Sequence, residues 1–278
     1  MESKRLKRTA YLAIVWLIVL AAILITATYA WFTFNPYTNV TPMRSTVSKG
    51  GASLLIANQK DGKFDKECVL NPESGTTVLS PVSSADLTKF FEATAQNREG
   101  ISILFHDVSQ KVNDYTIHGK VYLKCENEDC DVYLRRFGIN VGKDGQTLAA
   151  LRMGMNVSTS SGTHNYIMKL DAMGDTANAA KKRTIATDNS VVSAIDKNGN
   201  ASFEKDPAVE ISQFFAKENG TDDPEPEAGE QVFCRLKAGE IATVEYWLYL
   251  EGCDINCINE VQKKDIALQL SFAGVAQQ

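Results

Sequence analysis

No charged side chain lies between Ala10 and Phe34. The cations that precede this stretch, with none close after it, argue against a buried helix of a soluble enzyme. A basic excess is also missing. The formal charge is −5, and Lys4, Arg5, Lys7 and Arg8 against Glu2 put +3 into the first eight residues, which leaves −8 for the rest. An acidic body excludes nucleic acid as a partner, because phosphate binding needs a basic face.

Histidine is scarce: His106, His118 and His164 are the three. There is no Gly-x-Ser-x-Gly elbow, no phosphate-cradling glycine loop and no His-Glu-x-x-His helix, so no catalytic residue, metal or cofactor is assigned. His118 falls on the polar parity of its strand, which predicts a solvated side chain. His106 and Asp107 are strand neighbours and point to opposite faces. The stretch "DKNGNASFE" from Asp196 opens like a calcium loop, but its glycine is fourth rather than sixth and no glutamate is twelfth, so it reads as a turn. No Leu-Pro-x-Thr-Gly tail for a sortase and no pilin-type glutamate in the apolar run are found.

What is present begins with that run. Ala10 to Ala30 is 21 residues, which as a helix spans about 30 Å, the thickness of a bilayer core. Four cationic residues before it and none close after it orient the N-terminus inside and the body outside. Trp31, Phe32, Phe34 and Tyr37 then stand where an aromatic membrane-interface belt belongs. The same residues make a signal peptide, with Thr28 and Ala30 at the −3 and −1 positions and the cut between Ala30 and Trp31. Retained anchor and cleaved signal share every residue, and the triplet Thr28-Tyr29-Ala30 beside the aromatic start favours cleavage.

Beyond the anchor the dominant period is two. Tyr115, Ile117, Val121 and Leu123 alternate with polar neighbours, as do Leu151, Met153, Met155 and Val157. Val244, Tyr246, Leu248 and Leu250 repeat the pattern, and so do Ile266, Leu268, Leu270 and Phe272. Such alternation describes half-buried strands. Val132 and Leu134 lie on one parity and Phe137, Ile139 and Val141 on the other, which calls for a bulge near Arg135–Arg136. Weaker strands are expected at residues 53–57, 77–82, 101–105 and 232–236. Helical spacing is thin: Ser84 caps a possible helix carrying Leu87, Phe90, Phe91 and Ala95, and a second follows around Ile211, Phe214 and Phe215. Either segment equally suits an irregular stretch that packs its paired phenylalanines on a sheet. Residues 171–206 and 219–230 read as long polar loops. The expected organisation is therefore residues 1–34 as basic start plus apolar signal or anchor helix, and residues 35–278 as one extracellular all-β, jelly-roll-like β-sandwich domain.

Six cysteines, Cys68, Cys125, Cys130, Cys234, Cys253 and Cys257, all fall in the presumed external part, where bridges form. Cys125 and Cys130 enclose "ENED", and Cys253 and Cys257 enclose "DIN". Each pair suits a local bridge, leaving Cys68 and Cys234 for a long-range one. A four-thiolate metal site is the rival arrangement, although its usual spacing is two intervening residues.

The stretch "ATYAWFT", after a basic start and a long apolar run, resembles the N-terminal signature of the camelysin/TasA-type surface proteins of Gram-positive bacteria. The likeness covers about residues 20–35. Two features depart from the family: the apolar segment lacks glycines before the cut, and cysteine pairs are not a hallmark of the matrix-forming members. The resemblance implies signal-peptidase cleavage after Ala30 and a jelly-roll body at the cell surface or in a biofilm matrix. It also implies self-assembly, or assembly with other surface proteins, through a strand donated from residues 32–47. A peptidase activity is not carried over, since no metalloprotease motif is present. The alternative function is a membrane-tethered binding module that takes a glycan or host protein on the two long loops.

Overall fold

A computed structural model describes residues 40–50 as backbone, and residues 53–73, 79–95, 103–136, 145–170, 190–220, 226–254, 256–257 and 266–277. The chain divides into Met1–Pro36 and Tyr37–Gln278, and all described residues belong to the second unit. Ala30, Trp31, Phe32, Phe34 and Tyr37 lie outside them, as do Phe137, Ile139, Val141 and residues 171–189 and 221–225. No helix among the described residues is long and apolar enough to cross a membrane.

The unit is all-β. Its strands are β1 (Val40–Gly50), β2 (Leu54–Ala57), β3 (Glu67–Val69), β4 (Pro81–Val82), β5 (Phe91–Ala95), β6 (Ile103–Asp107), β7 (Ile117–Cys125) and β8 (Cys130–Leu134). They continue with β9 (Leu151–Thr159), β10 (Gly162–Lys169), β11 (Ser190–Ile195), β12 (Ala201–Lys205), β13 (Val209–Glu210), β14 (Cys234–Leu236), β15 (Ile241–Glu251) and β16 (Ile266–Ala276). Among the described residues a short helix, α1 (Gly145–Ala150), and 3-10 turns at Ser109–Asp114 and Ile211–Phe214 interrupt them.

Five strands form one sheet in the order β14-β8-β16-β1-β3, and a seven-stranded sheet runs β13-β10-β9-β15-β7-β2 with β4 added to β15. The alternating apolar sets line the space between the two sheets. Leu151, Met153, Met155 and Val157 of β9, with Val244, Tyr246, Leu248 and Leu250 of β15, share one buried cluster with Val132 and Leu134 of β8 and Leu268, Leu270 and Phe272 of β16. Period-two patterning dictates this: one parity of each strand turns inward, and burying it supplies the main driving force. Most neighbouring strands run antiparallel, but β1 with β16, β10 with β13 and β15 with β4 are parallel. A jelly roll is built from antiparallel strands, so the β1–β16 pairing is a departure from that plan.

The seven-stranded sheet is roofed on its second face as well. Its outward positions form cross-strand rows: Ile167, Gly154, Trp247 and His118 stand side by side, and Lys169, Arg152 and Tyr249 make the next row. Val82, Leu87, Phe90 and Val108 pack on Ile167, Trp247 and Tyr249 as a second buried cluster. A third joins Phe91, Phe105, Val192 and Cys253, which locks the β5–β6 hairpin against the β11–β12 hairpin.

One sequence expectation is decided here and another changes. Of the two readings for the segment after Ser84, helix or irregular stretch, the structure has the second, a closed loop followed by strand β5. Ser84 Oγ does accept the Leu87 N–H at 3.0 Å, as a cap would. Leu87, however, takes φ +63° and turns the chain out of the helix, and Ser83 and Phe91 exchange both backbone hydrogen bonds at 2.9 Å. Adjacent Phe90 and Phe91 then alternate as strand residues do, one to each of the two outer clusters. Within residues 171–206, the described part is the β11–β12 hairpin rather than a loop. Its turn is held by Asp196, whose Oδ1 accepts the N–H groups of Asn198 and Asn200 at 2.8 and 2.9 Å, while its Oδ2 accepts Asn200 Nδ2 at 2.8 Å. The carboxylate is spent on the turn. In 219–230 the end is pinned too: Lys217 and Glu227 pair as a bridge and Pro226 is buried.

Gly154 permits the roof to seat. A Cβ there would lie 2.4 Å from Leu87 Cδ2. Replacing Gly154 by Ala is expected to cost about 1–3 kcal/mol by overpacking. In a urea-melt double-mutant cycle, Leu87→Ala should recover part of that loss; simple additivity would mean the two residues do not meet.

Candidate functional site

Two places carry more than core packing: the slot that holds β1, and a charged cluster buried beneath the roof.

β1 lies between β16 and β3. It pairs in parallel with β16 from Val40 opposite Ile266 to Gly50 opposite Val275, with a register shift between Thr41 and Arg44. The skipped residues include Pro42, which has no N–H to give a ladder, so the irregularity falls where proline demands it. On its other side, among the described residues, β1 pairs with the three residues of β3. The chain then crosses to β2 in the other sheet over Gly274 of β16, where a Cβ would stand 2.8 Å from Leu54 Cβ. The first and last strands of the unit thus complete one another. The remaining edges of the two large sheets are short: β3 and β14 have three residues each, β13 two and β2 four. Short edges give little template for pairing with another chain.

The second place centres on Arg152 of β9, whose residue is 1% exposed. Its Nη2 donates to Asp206 Oδ2 at 3.0 Å and to Asp254 Oδ2 at 2.6 Å. Its Nη1 donates to the carbonyls of Ala149 and Leu151, both at 3.0 Å. Lys169 Nζ lies 3.8 Å from the same Asp206 oxygen. Burial alone would lower the guanidinium's proton affinity, and Asp254, Asp206 and Glu251 more than reverse that. Glu251 is fully buried at the end of β15. Its Oε1 accepts the Cys253 N–H at 3.0 Å, and its Oε2 has no protein partner. Burial pushes the carboxyl up to about 7, against the pull of Arg152 and the Ser83 hydroxyl. Ser83 Oγ also accepts the Val192 N–H at 2.9 Å, which ties the roof to β11. Arg152 Nε and Tyr249 Oη, neighbours in the same region, are also buried without a protein hydrogen-bond partner.

His118 corrects its expectation. It is buried, not solvated, because the turn Ser109–Asp114 and Trp247 cover that end of β7. Its ring stacks on Trp247 with centroids 4.9 Å apart. Nε2 lies 2.8 Å from Glu245 Oε1 and Nδ1 2.8 Å from Asn113 Oδ1. The hydrogen bond from His118, and then Lys120, holds the Glu245 carboxyl below its ordinary range despite partial burial. His106 and His164 are exposed on other strands, so the described histidines do not converge. Nor do any three of His, Cys, Asp or Glu among the described residues take up a metal-binding arrangement.

The cysteines sort by position. Cys125 and Cys130 meet across the turn joining β7 to β8. The contact with Cys130 lowers the Cys125 thiol and raises that of Cys130, as for a pair sharing one proton. Cys253 sits in the roof cluster and Cys257 in the main core, on either side of a turn in which Cys257 N–H donates to Asp254 O. Burial pushes Cys253 up to about 12, and Glu251 adds to it. Cys68 and Cys234 do not meet. They occupy β3 and β14, the opposite edges of the five-stranded sheet, roughly 19 Å apart at about 4.8 Å per strand, whereas a bridge needs Cα atoms within about 7 Å. The long-range bridge expected from elimination is sterically out of reach within one chain.

Comparison with protein-family models, curated proteins and solved structures gives no match to this chain.

Two outcomes are expected. Non-reducing peptide maps of oxidised protein should show Cys125 joined to Cys130 and no monomer peptide joining Cys68 to Cys234; recovery of the latter would refute the edge placement. Arg152→Met should lower stability by about 3–5 kcal/mol in chemical denaturation, because Asp206 and Asp254 are left buried without their cation. A loss under about 1 kcal/mol would mean the cluster is hydrated rather than buried.

Proposed function

We propose that this chain is a non-enzymatic, exported surface protein whose body is a jelly-roll-derived β-sandwich, and that copies assemble by exchanging β1. The apolar segment of residues 10–30 delivers the acidic body across a Gram-positive membrane. Cleavage after Ala30 then frees the strand-bearing N-terminus for incorporation into a surface or matrix fibre.

The observation that carries this reading is the position of β1. It is the first strand of the unit, it overlaps the donor segment expected at residues 32–47, and it runs parallel to the last strand inside a sheet rather than at its end. Withdrawing it would expose β16 from Ile266 to Val275, and an open ladder of that length is satisfied by an equivalent strand from another copy. Its contacts join the two most distant parts of the described chain, so they are the costliest in loop closure and the last to form. A strand that docks last is the one most readily supplied from outside.

The test uses protein purified from cells with its N-terminus sequenced. Material beginning at Trp31 should form fibres visible by electron microscopy. A Thr46→Cys/Ser271→Cys pair, set at facing register positions, should stay monomeric when oxidised and assemble after reduction. Oxidised protein that assembles at the wild-type rate would sink strand exchange. Wild type that keeps Met1 and its apolar segment and stays monomeric at high concentration would favour the tethered binding module.

A further inference from the structure

We infer that the roof on the seven-stranded sheet is a pH-gated cover. Protonated Glu251 holds the 83–95 segment and the β11–β12 hairpin down, and its ionisation loosens them and uncovers Trp247 and Tyr249. The inference does not depend on assembly through β1.

The geometry places one carboxyl where the roof is tied to the sheet. Glu251 ends β15, the strand that carries Trp247 and Tyr249 on its outward face. Its Oε1 receives the N–H of Cys253, whose side chain belongs to the cluster joining β5, β6 and β11. Ser83, beside it, closes the 83–91 loop through its backbone pairing with Phe91 and accepts the N–H of Val192 from β11. Three outer segments therefore converge on one buried acid.

The groups facing it come from every neighbouring element. Arg152 of β9 and Asp206 after β12 act on it directly, with the Ser83 hydroxyl and the Cys253 N–H. Tyr249 of its own strand and the Cys253 thiol feel its charge in return. Asp254 shares the Arg152 guanidinium, and Lys169 of β10 reaches Asp206. With Glu251 neutral, the two cations and the two aspartates balance. Ionisation adds an unmatched negative charge to a buried group whose Oε2 has no protein partner. The cheapest relief is for the roof to lift and admit water, a local opening rather than global unfolding.

The sign follows from linkage. The folded carboxyl titrates at about 7 and the ordinary one at 4.5. The protonated cover is thus fully stabilised below about 4.5, loses that stabilisation as pH rises through the window to about 7, and stays weakened above it.

Hydrogen–deuterium exchange of the full chain in detergent micelles tests this. Peptides covering 83–95 and 190–205 are compared with peptides from β8 and β16 of the same sample, so that the intrinsic pH dependence of exchange cancels in the ratio. Between pH 5 and 7 the ratio should rise by up to roughly tenfold per pH unit and then level off. Glu251→Gln should hold it at the low-pH value at pH 8. A wild-type ratio flat from pH 5 to 8 would overturn the gate, as would a rise shared equally by β8 and β16. Should Glu251→Gln not fold, the wild-type ratio decides alone.

Discussion

A guanidinium removed from water must be surrounded by acceptors, and in this protein that requirement governs the architecture outside the central core. Arg152 points away from the space between the sheets and yet is buried. Its counter-charges come from separate segments, Asp206 following β12 and Asp254 in the turn after β15. Desolvating the three groups is costly, and the cost is offset only when all of them are in place. Roof, hairpins and turn are therefore held as a set. The hydrophobic part of the roof, Leu87, Phe90 and Val108 on Trp247 and Tyr249, excludes water and so makes the electrostatic part possible.

How much of this could be read from the sequence depends on which face of a strand carries the information. The inward parity of β9, β15 and β16 was legible, because Leu, Met and Val at alternate positions have one physical meaning. Outward positions were ambiguous. In "LRMGMNV" an arginine on the polar parity looks solvated, and only the isolated acids of "LEGCDIN" hint at a partner. His118 misleads in the same way, since polar parity predicts water and the covering turn comes from elsewhere in the chain. Hairpin β11–β12 hides because residues 202–205 of β12 are all exposed, which erases the alternation. Its turn chemistry, Asp-Lys-Asn-Gly-Asn, was readable. The phenylalanine pair at 90–91 suited both a helix and an irregular segment, and the left-handed Leu87 decides between them.

The slot for β1 was legible in part. The segment that the N-terminal resemblance marks as a strand, residues 32–47, overlaps β1, which fills the sheet. The parallel direction and the flanking β3 were not readable, because register against a distant strand depends on contacts that no local pattern encodes. The cysteines show the same limit. Cys125 and Cys130, five residues apart, were recognisable as neighbours, whereas the relation of Cys68 to Cys234 depends on strand order.

The parallel union of β1 and β16 also sets how the body carries a load. Tension entering before Val40 and leaving after Ala276 pulls the two strands lengthwise in opposite directions. Their ladder is sheared with its rungs stressed together, not peeled apart one rung at a time. Shear loading shares the force among all the register pairs from Val40 to Gly50, each weak alone. A body held by its leading segment in moving fluid would resist extension best along this axis, and least if the pull were turned across the sheet.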